Sequence, residues 1–291
     1  MQFYKKLSFL AIAVGFICLP GCKPGKSKAK YPSPPGYNLA KPTTIHLKGE
    51  LDEISGIIFY PKDSSIFAII DEAGYLYKIF VRNKVEIEKW KFSKKADFED
   101  LSLVDSTFFA LQSNGAMTRF RFYSKDSVEM DVCEPPFSGK NEFESMYYDE
   151  FHSQLVLLCK DCDVDKKSTL TAYGFDPATK KYADTSFFVM DVNKIADKLN
   201  LGKMKLKPSA AAIHPITKEL YIISSVNKAI IIADRDGKVK EAYPIDPTIF
   251  KQPEGLMFTP WGDLLISNEA AEVGAANILI YKYNAGRHEK G

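Results

Sequence analysis

Apolar positions along this chain alternate with polar ones in short runs, and Gly, Asn, Asp and Pro break the runs. The first cycle reads Ser55–Tyr60, a turn at Pro61-Lys62-Asp63-Ser64, Ile66–Ile70, a turn at Asp71–Gly74, Tyr75–Phe80 and Val85–Phe92. The second gives Glu99–Val104, Thr107–Leu111, a Ser113-Asn114-Gly115 turn, Met117–Phe122 and Val128–Cys133. The third gives Glu144–Tyr148, Gln154–Cys159, Leu170–Phe175 and Ser186–Met190; the fourth gives Ser209–Ile213, Leu220–Ser224, Ala229–Ala233 and Val239–Tyr243. A period of two with β-branched and aromatic residues predicts antiparallel strands joined by hairpins.

Each cycle opens on one motif: Ile54-Ser55-Gly56-Ile57, Phe98-Glu99-Asp100-Leu101, Phe143-Glu144-Ser145-Met146, Pro208-Ser209-Ala210-Ala211 and Pro253-Glu254-Gly255-Leu256. The equivalent positions Ser55, Glu99, Glu144, Ser209 and Glu254 are separated by 44, 45, 65 and 45 residues. A spacing near 45 predicts four-stranded propeller blades. The fifth cycle has strands at Glu254–Phe258, Leu264–Ser267 and Asn277–Tyr283, and then only polar residues follow. Its missing strand is supplied by Thr44-Ile45-His46-Leu47-Lys48, which would close the ring and remove two sheet edges. The expected fold is all-β: a five-bladed β-propeller of four-stranded antiparallel blades over residues 43–284, the N-terminal strand pairing in the last blade, with a tail at 285–291. Within the long spacing, Val192, Ile195, Ala196 and Leu199 lie at helical intervals. They predict a short amphipathic helix between blades three and four, either capping a face of the ring or forming a loop insertion.

First strands line a propeller's channel and run in one direction, so Ser55, Glu99, Glu144, Ser209 and Glu254 are expected to meet around the axis. Carboxylates so confined repel one another and raise each other's pKa unless a cation balances them. Oxygen donors without His or Cys suit Ca²⁺, which takes about 6–8 oxygens, better than zinc. The same mouth is expected to carry Glu53, Glu72, Asn114, Asp161, Asn227, Asn268 and Glu269 as a rim for ligands, although Asp, Asn and Ser also fill hairpin turns for backbone reasons alone. The four histidines form no Ser/His/Asp set, with His214 and His152 read as turn residues, and neither a phosphate loop nor a His-Glu-x-x-His motif occurs.

The first 22 residues read as an export element. Lys5-Lys6 precede the apolar stretch Leu7–Leu19, which is short for a membrane span. Leu19-Pro20-Gly21-Cys22 resembles a bacterial lipobox, with Cys22 as the lipidated residue that tethers the protein without spanning the bilayer. Residues 23–42, rich in Pro, Lys, Ser and Gly, are expected to form a solvated spacer. Lys23 directs the expectation to the outer membrane, facing the periplasm. Of five cysteines, Cys133, Cys159 and Cys162 remain; Cys159-Lys160-Asp161-Cys162 ends a strand-like run and reads as a local disulfide or two plain thiols. The formal charge of +2 includes Lys5 and Lys6, so the exported chain is near neutral, which with scattered lysines excludes a nucleic-acid surface.

Taken together, the Ile54-Ser55-Gly56, Phe98-Glu99-Asp100-Leu101, Phe143-Glu144, Pro208-Ser209-Ala210 and Pro253-Glu254-Gly255-Leu256 steps resemble the SdiA-regulated family of exported bacterial propellers. The likeness spans about residues 50–283 and departs at Glu144-Ser145-Met146 and Ser209-Ala210, where Glu-Gly-Leu and Ser-Gly are usual. It implies a calcium-binding channel and no established reaction. A weaker likeness, through Pro253-Glu254-Gly255-Leu256 and Trp261-Gly262-Asp263-Leu264, extends to NHL-type propellers and calcium-dependent lactonases. Two functions follow as expectations: a monomeric binding module for a small ligand, glycan or protein, or a calcium-dependent hydrolase of lactones or phosphoesters at the channel mouth.

Overall fold

A computed structural model of the 291-residue chain describes residues 31–47, 49–81, 84–124, 127–270 and 274–286. The export element, Cys22, the first part of the spacer and His288 lie outside the described residues. A closing strand β1 (Thr43–His46) precedes five cycles. Blade one is β2 (Ile54–Tyr60), β3 (Ser65–Ile70), β4 (Ala73–Val81) and β5 (Val85–Lys91). Blade two is β6 (Phe98–Val104), β7 (Thr107–Gln112), β8 (Met117–Ser124) and β9 (Ser127–Cys133). Blade three is β10 (Asn141–Asp149), β11 (Gln154–Cys162), β12 (Thr169–Asp176) and β13 (Lys181–Asp191), followed by helix α1 (Val192–Lys198). Blade four is β14 (Ala210–Ile213), β15 (Leu220–Ser224), β16 (Ala229–Ala233) and β17 (Val239–Pro244). Blade five takes β18 (Pro253–Phe258), β19 (Leu264–Asn268) and β20 (Asn277–Tyr281), and β1 pairs antiparallel with β20, Thr43 opposite Ile280 and His46 opposite Asn277.

The five sheets are antiparallel throughout and stand in a closed ring, a five-bladed β-propeller. Each first strand touches its two counterparts: β2 meets β6 and β18, β10 meets β6 and β14, and β14 meets β18. Five hydrophobic clusters fill the five seams between blades. The residue after each motif position explains why the strands approach so closely. Gly56, Asp100, Ser145, Ala210 and Gly255 occupy equivalent places, and a Cβ on Gly56 would collide with the Leu101 nitrogen and Asp100. In blade two the small residue is replaced by Asp100, which is buried and accepts the Met146 amide at 2.7 Å and the Leu101 amide at 2.8 Å. That carboxyl staples blade two to blade three.

One segment differs from the sequence-based picture, and the expected helix is present with one of its two expected placements excluded. Residues 31–42 form the second half of the expected solvated spacer, yet Tyr37 and Leu39 are buried in the seam between blades four and five. Burial of these two apolar side chains outweighs the polar, proline-rich composition around them. Helix α1, capped by Asp191 accepting the Asn193 amide at 3.0 Å, packs on β12 and β17 in the seam between blades three and four, so it fills a groove instead of covering the channel.

His214 is more than a turn residue. It is fully buried; its Nδ1 accepts from the Ile216 and Thr217 amides, both at 3.1 Å, so in the neutral ring Nε2 carries the proton. Nε2–H then donates to the Tyr37 hydroxyl at 2.8 Å, which donates to the Gly262 carbonyl at 2.6 Å. Burial holds the imidazole down to about 4. The unfolded chain takes up that proton near 6.5, so this latch stabilises fully above that pH and its contribution is lost as pH falls towards 4. Between those limits the melting temperature is expected to drop more steeply for the wild type than for His214→Asn; parallel slopes would contradict it.

Candidate functional site

At the motif position the strand ladder breaks. Pairing jumps from Phe98–Gln112 to Asp100–Leu111 in blade two, from Phe143–Cys159 to Ser145–Leu158 in blade three and from Pro253–Asn268 to Gly255–Ser267 in blade five. The surplus residues are Glu99, Glu144 and Glu254. In blade one the jump from Ile54–Ile70 to Ile57–Ala68 takes in Ser55 and Gly56. Ser209, just ahead of β14, donates its amide to the Ile223 carbonyl at 2.9 Å. A β-bulge re-aims its extra side chain away from the sheet face. The bulged Glu99 lies close enough to the bulged Glu254 to feel its charge.

A further bulge supplies a group that sequence reasoning missed. Between Glu142–Asp161 and Phe143–Cys159, strand β11 carries Lys160 as its extra residue. The Lys160 ammonium pairs with Glu144 and, at 3.0 Å, with Glu142, and it also opposes the charge on Glu99 and Glu254. The Cys159–Cys162 disulfide brackets this bulge, settling the two readings of that pair. The carboxylate of Asp165 lies near both sulfurs, but a disulfide offers a metal no thiolate. The Cys-x-x-Cys spacing drew attention to the sulfurs, whereas the ring chemistry lies in the lysine between them.

One ammonium does not balance the ring. Burial first, then Asp97, with smaller contributions from Asp71 and Glu254, pushes Glu99 up to about 8 against the pull of Lys160. Burial and Glu269 push Glu254 up to about 7, opposed by Lys160 and by hydrogen bonds from Ser209 and Ser225. On blade one, Asp71 is raised by burial and by Glu53, Asp97 and Glu72, and one of its carboxylate oxygens is buried without a hydrogen-bond partner. The donor set left after Glu144 is engaged by Lys160 is Glu99, Glu254, Ser55 and Ser209. All four offer hard oxygens of the kind calcium takes, and none is a soft or imidazole ligand.

The rim residues divide by blade. Glu53, Glu72 and Glu269 stay on the acidic side with Asp71 and Asp97; Glu72 pairs with exposed Lys95, and Glu269 accepts from Gln252. Asp161 on blade three is held at about 2 by Lys205 and Lys140, at 2.5 and 3.0 Å. The three asparagines serve local structure: Asn114 accepts the Ala116 amide at 2.9 Å, Asn227 accepts the Lys207 amide at 3.0 Å, and buried Asn268 donates to the Asn277 side-chain oxygen at 3.0 Å and to the Ile249 carbonyl. The mouth is thus acidic across blades five, one and two and neutralised by lysines across blades three and four.

Lys160→Met would strip the ring of its internal cation. It is expected to lower the melting temperature of the cation-free protein, since a charged partner is left buried and unpaired. A melting temperature unchanged or raised in this variant would contradict the charge balance described above.

No known family profile matches the chain, and no curated protein matches it in sequence. Solved structures do resemble it. A glutaminyl cyclase from Myxococcus xanthus aligns with a TM-score of 0.53 at 10% identity, over 84% of this chain and 98% of that one. A luciferin-regenerating enzyme aligns with a TM-score of 0.50 at 11% identity, over 84% and 96%. At such identities the likeness is one of propeller fold. A calcium-binding regucalcin from Agrobacterium tumefaciens reaches 0.47 at 13% identity over 79% and 91%, which says nothing about the ring.

Proposed function

We propose that this chain is an exported binding propeller, tethered through Cys22 to the outer membrane on its periplasmic side, whose channel holds calcium between Glu99 and Glu254. The observation that supports the cation is the pair of buried carboxyls, at about 8 and about 7, sharing one ammonium that is already engaged by Glu144 and Glu142. Ser55 and Ser209 would complete the oxygen donors. The bound ion would supply positive charge on the axis; the chain's own part is to hold blades two and five in register around it. The export reading rests on Leu19-Pro20-Gly21-Cys22, and a disulfide between Cys159 and Cys162 suits an oxidising compartment.

Calorimetric titration of the chelator-stripped protein at pH 8 tests this reading. One calcium per chain is expected, with binding lost in Glu99→Gln and Glu254→Gln. Absence of binding at millimolar calcium would remove it. A carboxyl near 7 is also suited to proton transfer at neutral pH. Turnover of lactones or phosphoesters that disappears with chelator would therefore replace the binding module by the hydrolase.

A further inference from the structure

The channel has a second, unassigned end. A cavity of about 700 Å³ runs from Asp100 to the tips of the first hairpins, and none of the five ring residues lines it. It therefore opens on the face opposite the acidic mouth. Its inner wall is apolar, with Ile57, Leu101, Met146 and Leu256 contributed by four different blades. Next in the chain to the lining residues Glu150 and Pro260, two aromatic side chains stand in solvent: Phe151 is 76% exposed and Trp261 53% exposed.

One wall is built for polar recognition. Arg235, from the blade-four hairpin between β16 and β17, lines the cavity with its side chain only 20% exposed. Its guanidinium donates to Asp149, a fully buried carboxylate whose other oxygen meets His152 Nδ1 at 2.9 Å and which also accepts the Phe151 amide at 2.9 Å. A salt bridge so deeply held fixes the orientation of the guanidinium. Beside it, Tyr147 also lines the cavity, and its hydroxyl is buried with no hydrogen-bond partner. A buried donor left unpaired is costly, and a ligand oxygen would satisfy it. Lys218 and Lys62 also line the cavity, as do the carboxylates of Asp105 and Glu150.

We infer that this far-face cavity binds a small organic anion with an apolar or aromatic body, its anionic group on Arg235, the Tyr147 hydroxyl and Lys218, and its body against the four-blade apolar wall. The site is independent of any cation in the ring, so the two readings stand or fall separately.

The probes are 8-anilinonaphthalene-1-sulfonate, an aromatic monoanion, and N-phenyl-1-naphthylamine, the same rings without the sulfonate. Fluorescence titration is expected to show one sulfonate probe per chain, bound roughly tenfold more tightly than the neutral probe. Arg235→Gln should erase that preference. Because Arg235→Gln also orphans Asp149, its fold is checked by circular dichroism, and Lys218→Asn, which leaves the Asp149 pair intact, should weaken the sulfonate probe several-fold by itself. Glu99→Gln, at the other end, should change neither probe. Equal binding of the two probes, several sulfonate probes per chain, or unchanged sulfonate affinity in both Arg235→Gln and Lys218→Asn would each overturn the proposal.

Discussion

Replacing Glu99 and Glu254 together by Gln is expected to raise the melting temperature of the cation-free protein at pH 8 and to abolish its response to calcium. Both carboxyls sit above their ordinary value of 4.5, so the folded chain holds protons there that the unfolded chain has released. Their burial therefore costs nothing near pH 4.5 and costs increasingly as pH rises towards 7 and 8. Each tenfold gain in proton affinity on folding is worth about 1.4 kcal/mol, and discounting for residual solvent leaves on the order of 2–4 kcal/mol for the pair. For a domain of this size that is roughly 5–15 °C. Calcium should restore the wild type at pH 8 by binding the folded state alone, and the gap between wild type and double variant should close as pH falls below 4.5. A double variant melting below the wild type in chelator at pH 8 would mean that the ring carries no surplus charge.

Tyr37→Ala is the second large effect. The ring is closed by a short strand, and the segment before it is held by buried Tyr37 and Leu39, of which Tyr37 is the larger. Truncation removes an almost fully buried side chain at about 3–5 kcal/mol, and it strands both the Gly262 carbonyl and the His214 Nε2–H. A fall of about 10 °C or more is expected. If β1 then detaches, the β20 edge is bared and the protein should aggregate on heating. Tyr37→Phe keeps the packing and loses only the hydrogen bonds, so its fall should be a small part of that. Equal losses in the two variants would show that the hydrogen bonds, not the burial, hold the closure.

The blade count was legible because each blade repeats one local problem. An inner strand must begin with a small residue to pass its neighbours, and Gly56, Ser145, Ala210 and Gly255 wrote that requirement into four of the five blades. The closing strand followed because the fifth cycle was one strand short. The ring was half legible. A common register placed Glu99, Glu144 and Glu254 at one level, but the bulges that re-aim them have no signature in composition. Lys160 was hidden by the cysteines around it, since its place depends on a second bulge in β11. Residues 31–42 misled because proline dominates their composition while Tyr37 and Leu39 decide their position. The far-face wall was not legible at all: Arg235 and Asp149 lie 86 residues apart and meet only when blades three and four pack. Likeness to the SdiA-regulated family remains a resemblance of motifs.

Anomalous diffraction from crystals grown with calcium would locate the ion itself. One peak is expected on the ring axis, about 2.3–2.6 Å from carboxylate oxygens of both Glu99 and Glu254, with Lys160 still paired to Glu144. A ring without a peak, its centre taken by the Lys160 ammonium and all three carboxyls gathered around it, would contradict a calcium-holding channel.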